Sequence, residues 1–124
     1  MKTSIFISLL SLCLFSLSTA APPVPFSGKL AVDGKNFHGN ARFSFFIVDG
    51  LGDEHWRHSE EQGSMIENVV LNGRYLVLLG GQGMKALPPR LFLDYDQLFL
   101  RVQVDLQDGQ GIRLLEPDQR STSS

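Results

Sequence analysis

The densest run of chemically capable side chains is Asp53-Glu54-His55-Trp56-Arg57-His58-Ser59-Glu60-Glu61, two histidines among four carboxylates. Imidazole and carboxylate are ligands of zinc and copper, so a small metal-dependent hydrolase built on residues His55–Glu61 is one function to weigh. The spacing argues against it. In an extended strand, positions i and i+3 point to opposite faces, and His55 and His58 could share an ion only across a bulge or a helical turn. The run therefore reads as a solvated, charge-mixed edge or loop. Trp56 reads as a core aromatic that closes one end of the fold.

The remaining candidates are weaker. His38 stands alone between Phe37 and Gly39 and reads as a surface residue of a turn. Ser64 follows Gly63, but Met65 comes next in place of the spacing a nucleophile elbow needs, and an activated serine or cysteine requires an oriented base. Asp94 and Asp96 would share a face if extended, yet a glycosidase needs its two carboxyls at a set separation across a cleft. Gly80, Gly81 and Gly83 are followed by Met84-Lys85-Ala86, without the Lys-Ser or Lys-Thr of a phosphate loop. Asp105, Asp108, Gly109 and Gly111 suggest a calcium turn but lack the roughly 6 to 8 oxygen ligands the ion takes. No catalytic residue, metal ligand or cofactor is assigned.

The elements that would position any such site are strands. The chain has 124 residues, 43% hydrophobic, 10% aromatic and 19% charged, enough for one domain and too apolar for disorder. With 11 Lys and Arg against 13 Asp and Glu, a formal charge of −2, it carries no basic excess for a phosphate backbone, so no nucleic-acid partner is expected. Alternation of period two, punctuated by Gly, Asn and Asp, predicts strands at Phe26–Val32, Ala41–Val48, His55–Ser59, Met65–Leu71, Arg74–Leu79, Leu98–Asp105 and Ile112–Leu115. Asp33, Gly34, Lys35 and Asn36 read as a turn in which Gly34 takes positive φ, and Asn72-Gly73 as a two-residue hairpin. Pro88 and Pro89 forbid a central strand and predict a loop with one helical turn. The pattern implies an antiparallel β-sandwich of six or seven short strands, with a small β-barrel as the alternative.

Residues 1–20 have the layout of a secretory signal peptide: Lys2, an apolar run from Ile5 to Leu17, then Ser18, Thr19 and Ala20. The run is shorter than the about 20 apolar residues of a membrane span, so no transmembrane segment is expected and cleavage is placed after Ala20. The single cysteine, Cys13, leaves with that segment, and Leu12 before it disfavours a lipid anchor. The expected division is signal peptide 1–20, Pro-rich leader 21–25, β-sandwich domain 26–116 and a polar C-terminal tail 117–124 that frays.

The order of the turn and strand motifs carries a resemblance. Val24-Pro25, Gly28-Lys29-Leu30, Val32-Asp33-Gly34-Lys35-Asn36-Phe37, Gly39 and Arg42-Phe43-Ser44-Phe45 open it. Trp56, Asn72-Gly73-Arg74-Tyr75, Leu79-Gly80, Leu87-Pro88, Phe92, Leu100-Arg101-Val102 and Leu115-Glu116-Pro117-Asp118-Gln119-Arg120 continue it. Together they resemble a β-rich domain near the N-terminus of many exported bacterial proteins of unassigned function. In that family an alanine-rich segment and a stalk or fibre-like region commonly follow, which implies a cap or adhesion module. Here Ser121-Thr122-Ser123-Ser124 follows Arg120, leaving open a free-standing domain and a reading frame cut before a stalk.

The expected function is an exported (secreted, periplasmic or cell-surface), non-enzymatic binding or assembly module with a protein or glycan partner, and homo-oligomerisation is possible. A carbohydrate-binding alternative would use Trp56, Tyr75 and Tyr95 as a stacking face, although Trp56 and Tyr75 read as buried. Metal analysis of the purified protein separates the hydrolase alternative from both.

Overall fold

The computed structural model describes residues 21–121, so the signal peptide expected at 1–20 lies outside the described residues. Nine strands and one short helix occur among them: β1 (Val24–Lys29), β2 (Ala31–Val32), β3 (Lys35–Asn36), β4 (Gly39–Asp49), β5 (Glu54–Arg57), β6 (Ile66–Val70), β7 (Arg74–Leu79), α1 (Leu91–Asp94), β8 (Leu98–Asp105) and β9 (Ile112–Ser121). All pairings are antiparallel. The larger sheet runs β5-β4-β8-β9, with β6 also on β4; β1-β7 forms a second sheet and β2-β3 a small hairpin. The sheets do not close into a barrel, which removes that alternative.

The core lies between the larger sheet and the β1-β7 ribbon. Phe43, Phe45 and Ile47 of β4 and Leu98, Leu100, Val102 and Val104 of β8 meet Tyr75, Val77 and Leu79 of β7. Phe43 contacts Phe45 at 5.7 Å and Tyr75 at 4.6 Å between ring centroids. Strict alternation in β8 buries one face and leaves the other half-covered. The far end of β4 is covered on both sides, as its sequence implies: Ser44 and Val48 are buried although they point away from Phe43 and Phe45.

The Asn72-Gly73 signal specifies its turn, whereas the turn expected over 33–36 shortens to Asp33-Gly34, because Lys35 and Asn36 pair with Val32 and Ala31 as β3. Asn72 and Gly73 have φ of 52° and 82°, and Asp33 and Gly34 have 51° and 80°, the two consecutive positive values of a type I′ hairpin. These hairpins also dock on one another. Leu30 N–H donates to Gly73 O at 2.7 Å, Gly73 N–H to Phe37 O at 2.7 Å, and Phe37 N–H to Leu30 O at 3.0 Å. That exchange corrects the single strand expected over Phe26–Val32. Buried Leu30 spends its backbone groups on Gly73 and Phe37, so the chain leaves β7 there and turns into β2-β3.

Three other boundaries differ from expectation. β1 begins at Val24, inside the proline-rich 21–25 segment. Its Pro25 pairs with Leu78, at a position whose backbone nitrogen faces away from β7, where a missing N–H costs no ladder bond. β9 continues past Leu115 to Ser121, with Leu98↔Ser121, Phe99↔Arg120 and Leu100↔Gln119 in register, so the tail expected from 117 is strand up to Ser121. Backbone pairing makes no demand for apolar side chains there. Asp94 lies in α1 and pairs with Arg90 at 3.1 Å, so it shares no strand face with Asp96. The helical turn expected after the prolines is α1, anchored by buried Leu91.

Gly28 is opposite Tyr75 in the ribbon, and the Tyr75 ring lies over it. A methyl group on Gly28 would sit 2.3 Å from Tyr75 Cζ. Gly28→Ala should therefore destabilise the fold by about 1–3 kcal/mol through overpacking. Gly50→Ala, with nothing within 4 Å of its added carbon, should stay within about 0.5 kcal/mol of the parent. Urea unfolding of the two variants checks both.

Candidate functional site

The structure disperses the polar run from Asp53 to Glu61. His55 on β5 donates from Nε2 to Asp49 Oδ2 at 2.8 Å, and its ring packs 4.1 Å from that of Tyr95. Asp49 Oδ1 accepts the N–H groups of Leu51 and Asp53, so this carboxylate organises the β4–β5 turn. The His55 hydrogen bond, first, holds the Asp49 carboxyl below its ordinary value. Glu54 grips Arg57 through two bonds of 2.6 and 2.8 Å, and Arg57 lies over the Phe46 ring at 5.5 Å. Glu60 pairs with Lys85. A carboxylate-oriented imidazole is half of a nucleophilic triad, yet among the described residues no hydroxyl or thiol hydrogen-bonds to the His55 ring.

His58 goes the other way, into the interior, at 4% exposure. β5 and β6 lie end to end along one edge of β4, β5 on Phe46–Val48 and β6 on Gly39–Phe43. Between them Phe45 would present an unpaired N–H and C=O inside the protein. His58 supplies both partners. Its backbone N–H donates to Phe45 O at 3.1 Å, and its Nδ1 accepts Phe45 N–H at 3.4 Å. Nearby, Ser44 donates its hydroxyl to Ser64 O at 3.2 Å. Accepting at Nδ1 places the proton of the neutral ring on Nε2, which has no hydrogen-bond partner among the described residues. His55 and His58 thus occupy different environments, and among the described residues no three His, Cys, Asp or Glu side chains are grouped to hold a metal ion.

The aromatic trio of the carbohydrate reading is also divided. Trp56 is 3% exposed and donates from Nε1 to Ala86 O at 3.2 Å, which fastens the 80–90 loop across one end of the core. Tyr75 is 5% exposed, and burial pushes its phenol up to about 12. Tyr95 is 39% exposed. A stacking platform made of these three does not exist. His38 is exposed, as expected, and its Nδ1 accepts Asn72 N–H at 3.1 Å. Asp105 and Asp108 accept the N–H groups of Gln107 and Gln110, and Asp108 pairs with Arg113, so they shape the β8–β9 turn.

The feature that residue chemistry does not announce is a groove. β6 and β7 leave the Asn72-Gly73 turn paired only at Leu71↔Arg74 and then separate, β6 onto β4 and β7 onto β1. The groove between them measures about 310 Å³ and is lined by residues including Asn68, Val69, Leu71, Arg74 and Leu76. Its apolar lining is exposed: Val69, Leu71 and Leu76 are 47%, 57% and 61% exposed, and Leu78, beyond the groove on the same face of β7 as Leu76, is 52% exposed. Asn68 Nδ2 donates to Leu76 O at 3.0 Å, and Gly81 N–H donates to Leu78 O at 3.1 Å. Both bonds show that the backbone groups of Leu76 and Leu78 face away from β1. A signal existed in the sequence, since every residue from Tyr75 to Leu79 is apolar and no polar face is left for β7.

Burial lowers His58 below its ordinary value of 6.5, partly offset by backbone contacts with Phe45 and Ser64. As pH falls below about 6.5 the unfolded chain takes up a proton that the folded chain refuses, so stability present above that pH is lost on acidification toward the folded-state value. The thermal midpoint should therefore fall between pH 7 and pH 5. His58→Asn, whose Oδ1 can accept Phe45 N–H without titrating, should flatten that dependence. His58→Leu should cost about 1–3 kcal/mol at pH 7 by orphaning that N–H. Among the described residues no helix is long and apolar enough to cross a membrane. No family model, curated protein or solved structure matches the chain.

Proposed function

We propose that the protein is an exported, non-catalytic binding or assembly module that engages its partner through the groove between β6 and β7. One observation carries the reading: the exposed apolar side chains of Val69, Leu71 and Leu76 that line the groove beside an unpaired strand edge, continued on the same face of β7 by exposed Leu78. Contiguous exposed apolar surface of this kind on a small domain marks an interaction site, whereas single exposed side chains do not. Each of the two β5-region histidines has a structural engagement, His55 with Asp49 and His58 with Phe45, which supports a non-catalytic reading of that cluster. Export rests on the three-part layout of residues 1–20. Resemblance to the N-terminal domain of exported bacterial proteins points the same way.

Two measurements test this. Expressed with its own first twenty residues in a bacterial host, the chain should be recovered outside the cytoplasm with Ala21 as its first residue by mass spectrometry; recovery of an intact Met1 product in the cytoplasm would refute export. The apolar dye anilinonaphthalene sulfonate should bind the folded protein at the groove. Leu76→Ser with Leu78→Ser should cut the dye fluorescence at least in half while leaving the thermal midpoint within a few degrees, because both side chains are exposed. Equal fluorescence in parent and variant would show that this face is not an exposed apolar site.

A further inference from the structure

The proposed binding face has a polar edge and a charge as well as an apolar rim, and together they specify an occupant. Leu76 and Leu78 turn their carbonyl groups away from β1, to the unpaired edge of β7. In an antiparallel ladder the N–H of a residue points to the same side as its C=O, so the N–H groups of Leu76 and Leu78 lie on that edge too. Leu78 O is satisfied by the following turn and Leu76 O by the side-chain amide of Asn68. Among the described residues the two N–H donors have no acceptor. The Asn68 amide stands where the N–H of an adjoining strand would stand.

The outer face of the same ribbon is basic. Lys29 and Arg74 are directly opposite one another in the β1-β7 register, both are exposed, and neither has an anionic partner among the described residues. Like charges directly opposed across a ladder are destabilising, and the chain as a whole is acidic, with formal charge −2. The unneutralised pair lies on the ribbon face that also carries Leu76 and Leu78.

We propose, resting on the binding-module reading above, that the open edge of β7 receives an extended peptide segment of a partner protein as an added strand, with apolar and acidic side chains two residues apart on one and the same face. Main-chain bonds to Leu76 and Leu78 give the affinity of strand addition, and side-chain pockets and charge give the choice of segment. The apolar side chains of the segment cover Leu76 and Leu78, and its carboxylates reach Lys29 and Arg74. A lipid surface would satisfy the charge and the apolar rim but offers no regular series of acceptors for the strand edge.

The test uses the full exported chain and two synthetic octapeptides with Thr at every second position, the four intervening residues being Val, Val, Asp and Asp in one and Val, Val, Lys and Lys in the other. The Asp-Val peptide should bind, slow amide hydrogen exchange at Leu76 and Leu78, and weaken at least tenfold in the Lys29→Glu/Arg74→Glu variant. The Lys-Val peptide should bind the parent at least tenfold more weakly and gain affinity for that variant. Binding without protection of those two amides, equal binding of both peptides, or no binding overturns the strand-addition proposal. So does dimerisation through β7, or attachment to vesicles of anionic phospholipid with no response to the Asp-Val peptide. A dye response that depends on Leu76 and Leu78, combined with a negative peptide result, would overturn this inference alone; loss of the dye response as well would overturn the binding reading beneath it.

Discussion

A two-stranded ribbon is marginal in water by itself, and the β1-β7 ribbon holds because Tyr75, Val77 and Leu79 bury against the larger sheet. The Tyr75–Phe43 contact is the joint. It needs Gly28 directly across the ribbon, because the phenol ring occupies the space a side chain there would fill. With no cysteine after Cys13, no disulfide can share the task. The interior must hold two sheets together by packing alone, and the aromatic series Phe45, Phe43, Tyr75 and Phe26 runs through it.

A second constraint follows from the length of β4. Eleven residues of central strand need partners on both edges. β8 covers one edge over eight residues, but the other is shared by β5 and β6, which do not meet. A buried peptide group left unpaired at the join would cost about 1–3 kcal/mol. An imidazole fills the role that a strand residue would otherwise play. This accounts for a histidine in the interior of the domain, and it frees the 59–65 segment to loop outward without opening the sheet.

Much of the fold could be read from residue order because local and global demands agree. The period-two pattern of β8 and the Asn72-Gly73 turn each leave one solution, so Leu98–Asp105 and Arg74–Leu79 coincide with their strands. The misses occur where tertiary bonds override local pattern. The first strand breaks at Leu30 because Phe37 takes the Leu30 carbonyl and the Gly73 N–H, the two groups that the other half of that rung would have joined. β9 extends over polar residues because β8 offers an unpaired edge, and Asp94 leaves the extended form because α1 follows the prolines. The site was less legible. His55 and His58 were visible as chemistry, but only the end-to-end arrangement of β5 and β6 gives His58 its task. The groove depends on two strands parting after a hairpin, and a linear sequence carries no mark of the angle between them.

Pro25 gives the ribbon a direction. Its nitrogen lies on the outer margin of β1 and has no hydrogen to offer, and exposed strand margins are where chains join one another into cross-β fibres. Growth of a fibre requires each added unit to leave a fresh margin like the one it used. The ribbon has an unpaired margin at β7 and an impaired one at β1, so any strand added at β7 would end the series through this ribbon. A domain built this way can keep one margin open while remaining a terminator, and not a template, for polymerisation through it.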